Sequence, residues 1–552
     1  MKSPIVVAAV LGVFVGSARA ADGPQPAEIR SHMMFLADDL LEGRDAGSRG
    51  EAISGLYIAA HFEALGLEPA GVDGAFFQPF GLAASRLSRE GFAFEIDGPS
   101  GPAPFQNGED IIVYASSEAP EEAVSAEVVF AGYGVSAPLL DMDDYDDLDA
   151  KGKFVAVLGG PPPYMPAAEA AHYGSTATKT AAALEAGAVG LLTVWTPAME
   201  AQFAFDGRKQ YLYREFLKWT ALDPQAEAGR DGNRLTSKLP SAYVRGAAAA
   251  KLFEGAAMTG EEAVTAGAKG PVAGFDLETS VSLQRRTAFF EKAPSRNVAA
   301  LLPGSDPELA DEYVVLTAHY DHVGVCRPLA EDDKICNGAL DNAIGTSMLL
   351  EVARTLAKAK KRPKRSILFL AVGAEEKGLL GSDYFVNFPT VPRERIVANI
   401  NLDGALPFYK FVDVIAFGAE QSEMGERLAA AIRPLGMTVA PDPFPEQSIF
   451  TRSDQYSFVK AGVPALFLYM GFTDPNGENV GRGWWDRTLA TLYHQPTDDL
   501  SSPIDYEVAA QFTDVFRRVT LETTNRRQRP RWYAESVFGA AFAPDDPKAE
   551  SP

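Results

Sequence analysis

The sequence predicts an α/β protein: a mainly parallel, mixed sheet sandwiched between helices, with a smaller α/β unit inserted into it. Three observations carry this. From about residue 290 onward, strand-like segments alternate with helical ones, from "RNVAALLP" to "VPALFLYM". Those strands are apolar at nearly every position, the pattern of strands buried on both faces of a parallel sheet. A separate alternation occupies 124–285, and 552 residues are too many for one core.

Taken in order, "MKSPIVVAAVLGVFVGSARA" (1–20) has the basic start, apolar run and Ala18-Arg19-Ala20 end of an export signal. Its run is too short to span a bilayer, so an exported chain without a membrane anchor, periplasmic or extracellular, is expected. Residues 21–123 begin with two helices around a polar loop; Leu56, Ala59, Ala60, Phe62 and Leu65 recur at helical spacing and Gly66 is a stop. Within 124–285, "AEVVFAGYGV", "KFVAVLGG" and "AVGLLTVW" read as strands and "TKTAAALEAG" as a helix. The acidic run "DMDDYDDLDAKG" lacks the Gly and the final Glu of a calcium loop and reads as a solvated turn. Residues 286–535 carry the main alternation, where Leu349, Val352, Ala353 and Leu356 form one apolar helical stripe. The polar end, 536–552, reads as a flexible tail.

Net charge is −24, and −26 without Lys2 and Arg19 (−24 − 2), which argues against nucleic acid and anionic membranes as partners. Two cysteines, Cys326 and Cys336, are too few for a cysteine-rich zinc site. In an exported chain they suit a disulfide closing a short loop.

In sheets of this kind, functional residues gather where strands end. "VVLTAHYDH" ends on His319, Asp321 and His322; "ILFLAVGAEE" ends on Glu375 and Glu376; "VANINLDG" ends on Asp403. "GALDNAIG" sets Asp341 before a helix, and "TLYHQPTDD" sets His494 in the last loop. Each alone has an ordinary explanation: Asp341 as a helix-start residue, Asp403 as a turn former, His494 bonded to backbone. Together they bring carboxylates and imidazoles to one rim, where the carboxylates would repel one another. A pair of divalent cations about 3.5–4 Å apart resolves that conflict, and zinc takes both ligand types.

"AHYDH", "LDN", "AEEKGLLGS", "NLD" and "YHQPTD" resemble, in order, the motifs of the di-zinc exopeptidase family, which includes secreted bacterial aminopeptidases and glutamate carboxypeptidase. The resemblance covers about residues 295–525 and the amino-terminal helices, while 124–285 looks like the protease-associated domain often inserted there. It implies a zinc-exopeptidase-like fold, two Zn2+ per chain and peptide substrates. It also implies metal ligands at His319, Asp341, Glu376, Asp403 and His494, with Asp341 bridging and His319 and Glu376 on different sides. Asp321 would hold the His319 imidazole, and Glu375 would be the general base. Arg452, Gln455 and Tyr469 are expected at the substrate pocket. Gln455 stands where such enzymes often carry His after Ser-Asp, and the Cys326–Cys336 loop is longer than usual. His32, His61, His172 and His322 match nothing in the pattern and read as structural.

The favoured function is an aminopeptidase that holds the substrate amine near Glu376 and Asp403. A carboxypeptidase using Arg452 or Arg482 for the terminal carboxylate is the alternative. A non-catalytic receptor on the same fold would be expected to have lost ligands or base, and a one-zinc glutaminyl cyclase type would differ in metal content.

Overall fold

A computed structural model describes residues 23–221, 239–326 and 333–552. The export signal expected at 1–20 lies outside the described residues. Four central strands, Ser366–Val372, Tyr313–His319, Ile396–Leu402 and Ala465–Met470, run parallel in that order. Asp413–Phe417 extends the sheet antiparallel to Ala465–Met470. On the other edge, Phe275–Leu302, Phe77–Leu87 and Phe216–Thr220 continue it antiparallel.

Alternate residues of each central strand enter different helix layers, which is why the strands are apolar throughout. Val314, Leu316 and Ala318 pack with Ile29, Phe62, Met348 and Phe516 on one face. Val315, Leu368 and Leu370 pack with Phe385, Phe458 and Phe538 on the other. The helices bearing these residues include Pro26–Leu36, Arg49–Ala64, Ile344–Ala357 and Tyr506–Asn525. Within 536–552, expected as a flexible tail, Val537–Phe542 forms a helix whose Phe538 is fully buried, and Ala549 is buried as well. The polar composition of this stretch conceals the few aromatic anchors that hold it.

A second sheet places Glu121–Phe130, Phe154–Leu158, Gly190–Val194 and Ser241–Val244 side by side and parallel. Ala93–Asp97 also joins it, through strand Phe275–Leu302, so it draws on residues before 124. That 28-residue strand belongs to both sheets and runs unbroken through residue 285. The acidic run at 141–152 forms a turn in which Asp144 accepts from the Val135 amide. Cys326 and Cys336 are joined in a disulfide. Among the described residues no helix is long and apolar enough to cross a membrane.

Candidate active site

Strand register brings the site together. Thr317 lies opposite Asn401, so two residues further on His319 and Asp403 come level. His319 Nε2 is 2.9 Å from Asp403 Oδ1. His319 also pairs with Val372, the end of the strand that leads to Glu375 and Glu376. Ala374 adopts a left-handed conformation (φ +57°) and turns the chain sharply before both glutamates.

Asp341 stands between the two halves of the site. Its Oδ1 lies 3.3 Å from His319 Nε2, and its Oδ2 lies 3.2 Å from His494 Nε2. Backbone amides hold it there, since Leu340 N and Asp341 N donate to the Asp498 carboxylate at 2.9 and 3.1 Å. Glu376 Oε2 is 3.1 Å from His494 Nε2. Glu375 Oε2 is 4.0 Å from His319 Nε2 and takes no part in the second cluster.

Asp321 does more than orient an imidazole. His319 Nδ1 faces the Asp321 carbonyl at 3.2 Å and its carboxylate at 3.7 Å. The same carboxylate accepts from the Glu375 and Glu376 amides at 3.0 and 3.3 Å. One buried side chain thereby ties the His319 strand end to the glutamate turn.

His322, read from the sequence as structural, belongs to the site. Its Nδ1 lies 2.8 Å from Glu376 Oε1 and 4.0 Å from Asp341 Oδ2. Gly338 makes room for it, because a Cβ there would sit 2.5 Å from the His322 ring. His322 is one helical-length step past His319, but on an irregular segment where spacing carries no signal. The other three histidines lie apart from these clusters: His32 Nδ1 meets Tyr57 OH at 2.9 Å, His61 Nδ1 the Tyr57 carbonyl at 2.9 Å, and His172 Nδ1 Tyr456 OH at 2.5 Å.

Two groups can hold cations: His319, Asp341 and Asp403, and His322, Asp341, Glu376 and His494, each with ligand atoms within 4.8 Å of one another. Both His322 ring nitrogens, Glu376 Oε1 and His494 Nε2 are buried and lack hydrogen-bond partners. Polar atoms aimed at one another without hydrogen-bond alignment fit a shared cation, and a set of nitrogen and carboxylate oxygen suits zinc. Burial raises the Glu375 pKa well above the ordinary carboxylate value, with Asp403 and Glu376 adding to it and His319 opposing. Burial acts the same way on Glu376, but His494 and His322 outweigh it and hold that carboxyl well below its usual value. Adjacent glutamates thus have opposite proton affinities.

The adjoining cavity, about 130 Å³, is walled by Leu406, Phe417, Phe467, Tyr469 and Trp485, with Arg452 also lining it. Of the residues expected at a substrate pocket, Arg452 and Tyr469 line this cavity. Gln455 does not: it is fully buried, and its Nε2 donates to the Phe450 carbonyl at 2.6 Å. It opens the helix Gln455–Lys460, which turns its side chain back into the core. Helix Gly481–Thr491, which no sequence pattern announced, supplies Trp485, Thr488 and Leu489 to the cavity wall. Arg482 on that helix pairs with Asp486 at 3.0 Å.

Residues 297–520 match peptidase family M28. The chain is 28% identical over 273 residues to aminopeptidase YwaD of Bacillus subtilis (strain 168), covering 47% of this chain and 53% of that protein. It is 37% identical over 132 residues to aminopeptidase NAALADL1 of Mus musculus, covering 23% of this chain and 15% of that one. The chain thus spans about half or less of the length of these curated relatives. An aminopeptidase structure from Aneurinibacillus sp. strain AM-1 shares the fold, with a TM-score of 0.50 and 17% identity over 92% of this chain and 95% of that one. The motifs, the sheet that aligns them and this match agree: residues 297–520 form a domain that matches peptidase family M28.

Proposed function

We propose that the protein is an exported, metal-dependent aminopeptidase that releases amino-terminal residues from peptides with two zinc ions and Glu375 as general base. The observation that carries this is Asp341, whose two carboxylate oxygens face imidazoles on opposite sides, His319 and His494. His319, Asp341 and Asp403 would hold one ion, and Asp341, Glu376 and His494, joined by His322, the other. When bound, such a pair supplies Lewis-acid polarisation of the scissile carbonyl and acidifies water.

The residues of the chain do the rest. Glu375, buried and with a raised pKa, takes the proton of the attacking water and returns it to the leaving amine. Asp321 holds the Glu375 amide and the His319 ring in register. Glu376 and Asp403 border the cavity and offer carboxylates to the substrate's α-ammonium. Its aromatic walls exclude bulk water, which strengthens each of these interactions. The disulfide agrees with export to an oxidising compartment. The second sheet supports reading the inserted unit as a protease-associated domain.

Arg452 in the cavity wall favours a second reading, a carboxypeptidase on the same centre. Metal analysis with a panel of peptides blocked at either end decides. Two zinc ions per chain and cleavage only of free-amine peptides are expected; cleavage of amino-acetylated peptides alone would establish the carboxypeptidase instead.

A further inference from the structure

Beside the metal-site cavity lies a larger one of about 820 Å³, between helices Ala167–Gly174 and Thr176–Glu185 of the inserted unit and segment 448–460 of the peptidase unit. Arg452 lines both cavities. A peptide with its first residue in the smaller cavity has a path for its remainder past Arg452 into the larger.

The charge of this cavity runs against that of the protein. The chain carries −24 overall, yet the lining includes Lys179, Arg208, Arg452 and Lys460 against one carboxylate, Glu185. Two of these cations are already engaged. Lys179 Nζ donates to the Leu158 and Gly160 carbonyls at 2.6 and 3.2 Å, and Lys460 Nζ lies 3.5 Å from Asp383. The arginines differ. Among the described residues neither Arg208 nor Arg452 forms an ion pair with a carboxylate.

Instead, aromatic rings hold both guanidinium groups in place. Arg208 lies 5.2 Å from the Trp195 ring and 5.5 Å from the Tyr243 ring, and its Nε is buried without a hydrogen-bond partner. Arg452 reaches the Tyr493 hydroxyl at 3.3 Å. Both also lie near the Phe203 ring, Arg208 at 5.7 Å and Arg452 at 5.5 Å from its centre. Two like charges, one from each unit, therefore share one ring, and neither is paired with a carboxylate among the described residues. Guanidinium forks in that arrangement suit a carboxylate, which each can grip through paired N–H groups.

We propose that this cavity binds the departing portion of the peptide substrate and that Arg208 and Arg452 together receive a carboxylate it carries. In a short peptide that is the terminal carboxylate; in a longer one, an acidic side chain offers the same chemistry. The inference rests on the aminopeptidase reading of the adjoining centre. It makes the inserted unit a part of substrate recognition and the enzyme a peptidase of short or acidic peptides.

The test compares a tripeptide acid, its carboxamide, and a carboxamide with Glu at the third position. The zinc-loaded wild type should favour the acid over its amide by about tenfold in kcat/KM, mainly through KM. Preference restored by the internal Glu would identify a side-chain carboxylate as sufficient; no restoration would restrict the site to the terminus. Arg208→Gln and Arg452→Gln should each bring the acid-to-amide ratio towards one, while Arg208→Lys should keep part of it. Equal turnover of acid and amide by the wild type, or a ratio unchanged in both glutamine variants, would overturn the proposal. Calorimetric binding of the acid and amide to the full-length Glu375→Gln protein reads the cavity independently of turnover. Absence of hydrolysis with retained acid-selective binding would sink the aminopeptidase reading and leave the carboxylate site standing. Equal binding of both would remove the site.

Discussion

Glu375 and Glu376 are neighbours in sequence with opposite environments, and single substitutions should separate their roles. On the proposed mechanism Glu375→Gln removes a base but no ligand, so turnover should fall by about two to four orders of magnitude with metal content unchanged. Glu376→Gln should instead lower the zinc retained after dialysis; equal behaviour of both variants in both assays would contradict this division. His322 meets Glu376 and borders the same cluster, so His322→Ala should weaken zinc retention about 10–100-fold, read by competition with a chelator. His319, Glu375, Glu376 and Asp403 were legible in the sequence because each follows a strand whose apolar pattern marks its end, whereas Asp341 and His494 stood out only in company with them. His322 and Asp498 were not legible. Both sit on irregular backbone, and Asp498 acts by accepting the Leu340 and Asp341 amides, a role no side-chain pattern announces. Gln455 was misplaced for the same reason, since its direction is set by the turn of a short helix.

Among elements, the strands and long helices could be read from periodicity, because burial on two faces or on one stripe leaves a direct imprint on composition. Helix Gly481–Thr491 could not, as only Gly481 is buried and its polar face dominates. The segment "LEGR" also hides its purpose. Arg44 is buried, and its Nε donates to the Tyr320 carbonyl at 2.8 Å while its other nitrogens reach the Asn337 and Gly338 carbonyls at 2.6 and 3.0 Å. It joins the segment between His319 and Asp321 to the loop that precedes Asp341. Arg44→Lys keeps the charge but loses the fork, and should cost about 2–4 kcal/mol in denaturant unfolding together with slower zinc uptake. Capping offers a simpler check at this scale. Asp505 accepts from the Glu507 and Val508 amides at the start of the longest helix, so Asp505→Ala should cost about 1 kcal/mol with zinc binding intact.

Across the whole molecule, stability should carry a pH signature from one buried acid. Glu51 accepts from Ser295 Oγ and the Gly47 amide, and burial, reinforced by Asp321, raises its pKa from 4.5 to about 8. The folded state therefore keeps a proton that the unfolded chain has released. The stability this provides is full below the unfolded value and is lost as pH rises through about 8. Glu51→Gln should flatten the fall in urea midpoint between acidic and mildly alkaline pH; an unchanged slope would point to another group. The two sheets were visible as separate alternations, whereas their connection was not, because strand Phe275–Leu302 changes from alternating to continuous burial part-way along. It pairs with Phe77–Leu87 and Ser366–Val372 at one end and with Glu121–Phe130 at the other. Calorimetry should accordingly show one cooperative transition rather than two. The same strand has a consequence for what can enter. Because both jaws grow from a single backbone, the gap between them behaves as a caliper with its screw tightened. On the proposed reading, slender, unfolded chain ends should pass, while termini packed against a folded body should be turned away by width before any chemistry is consulted.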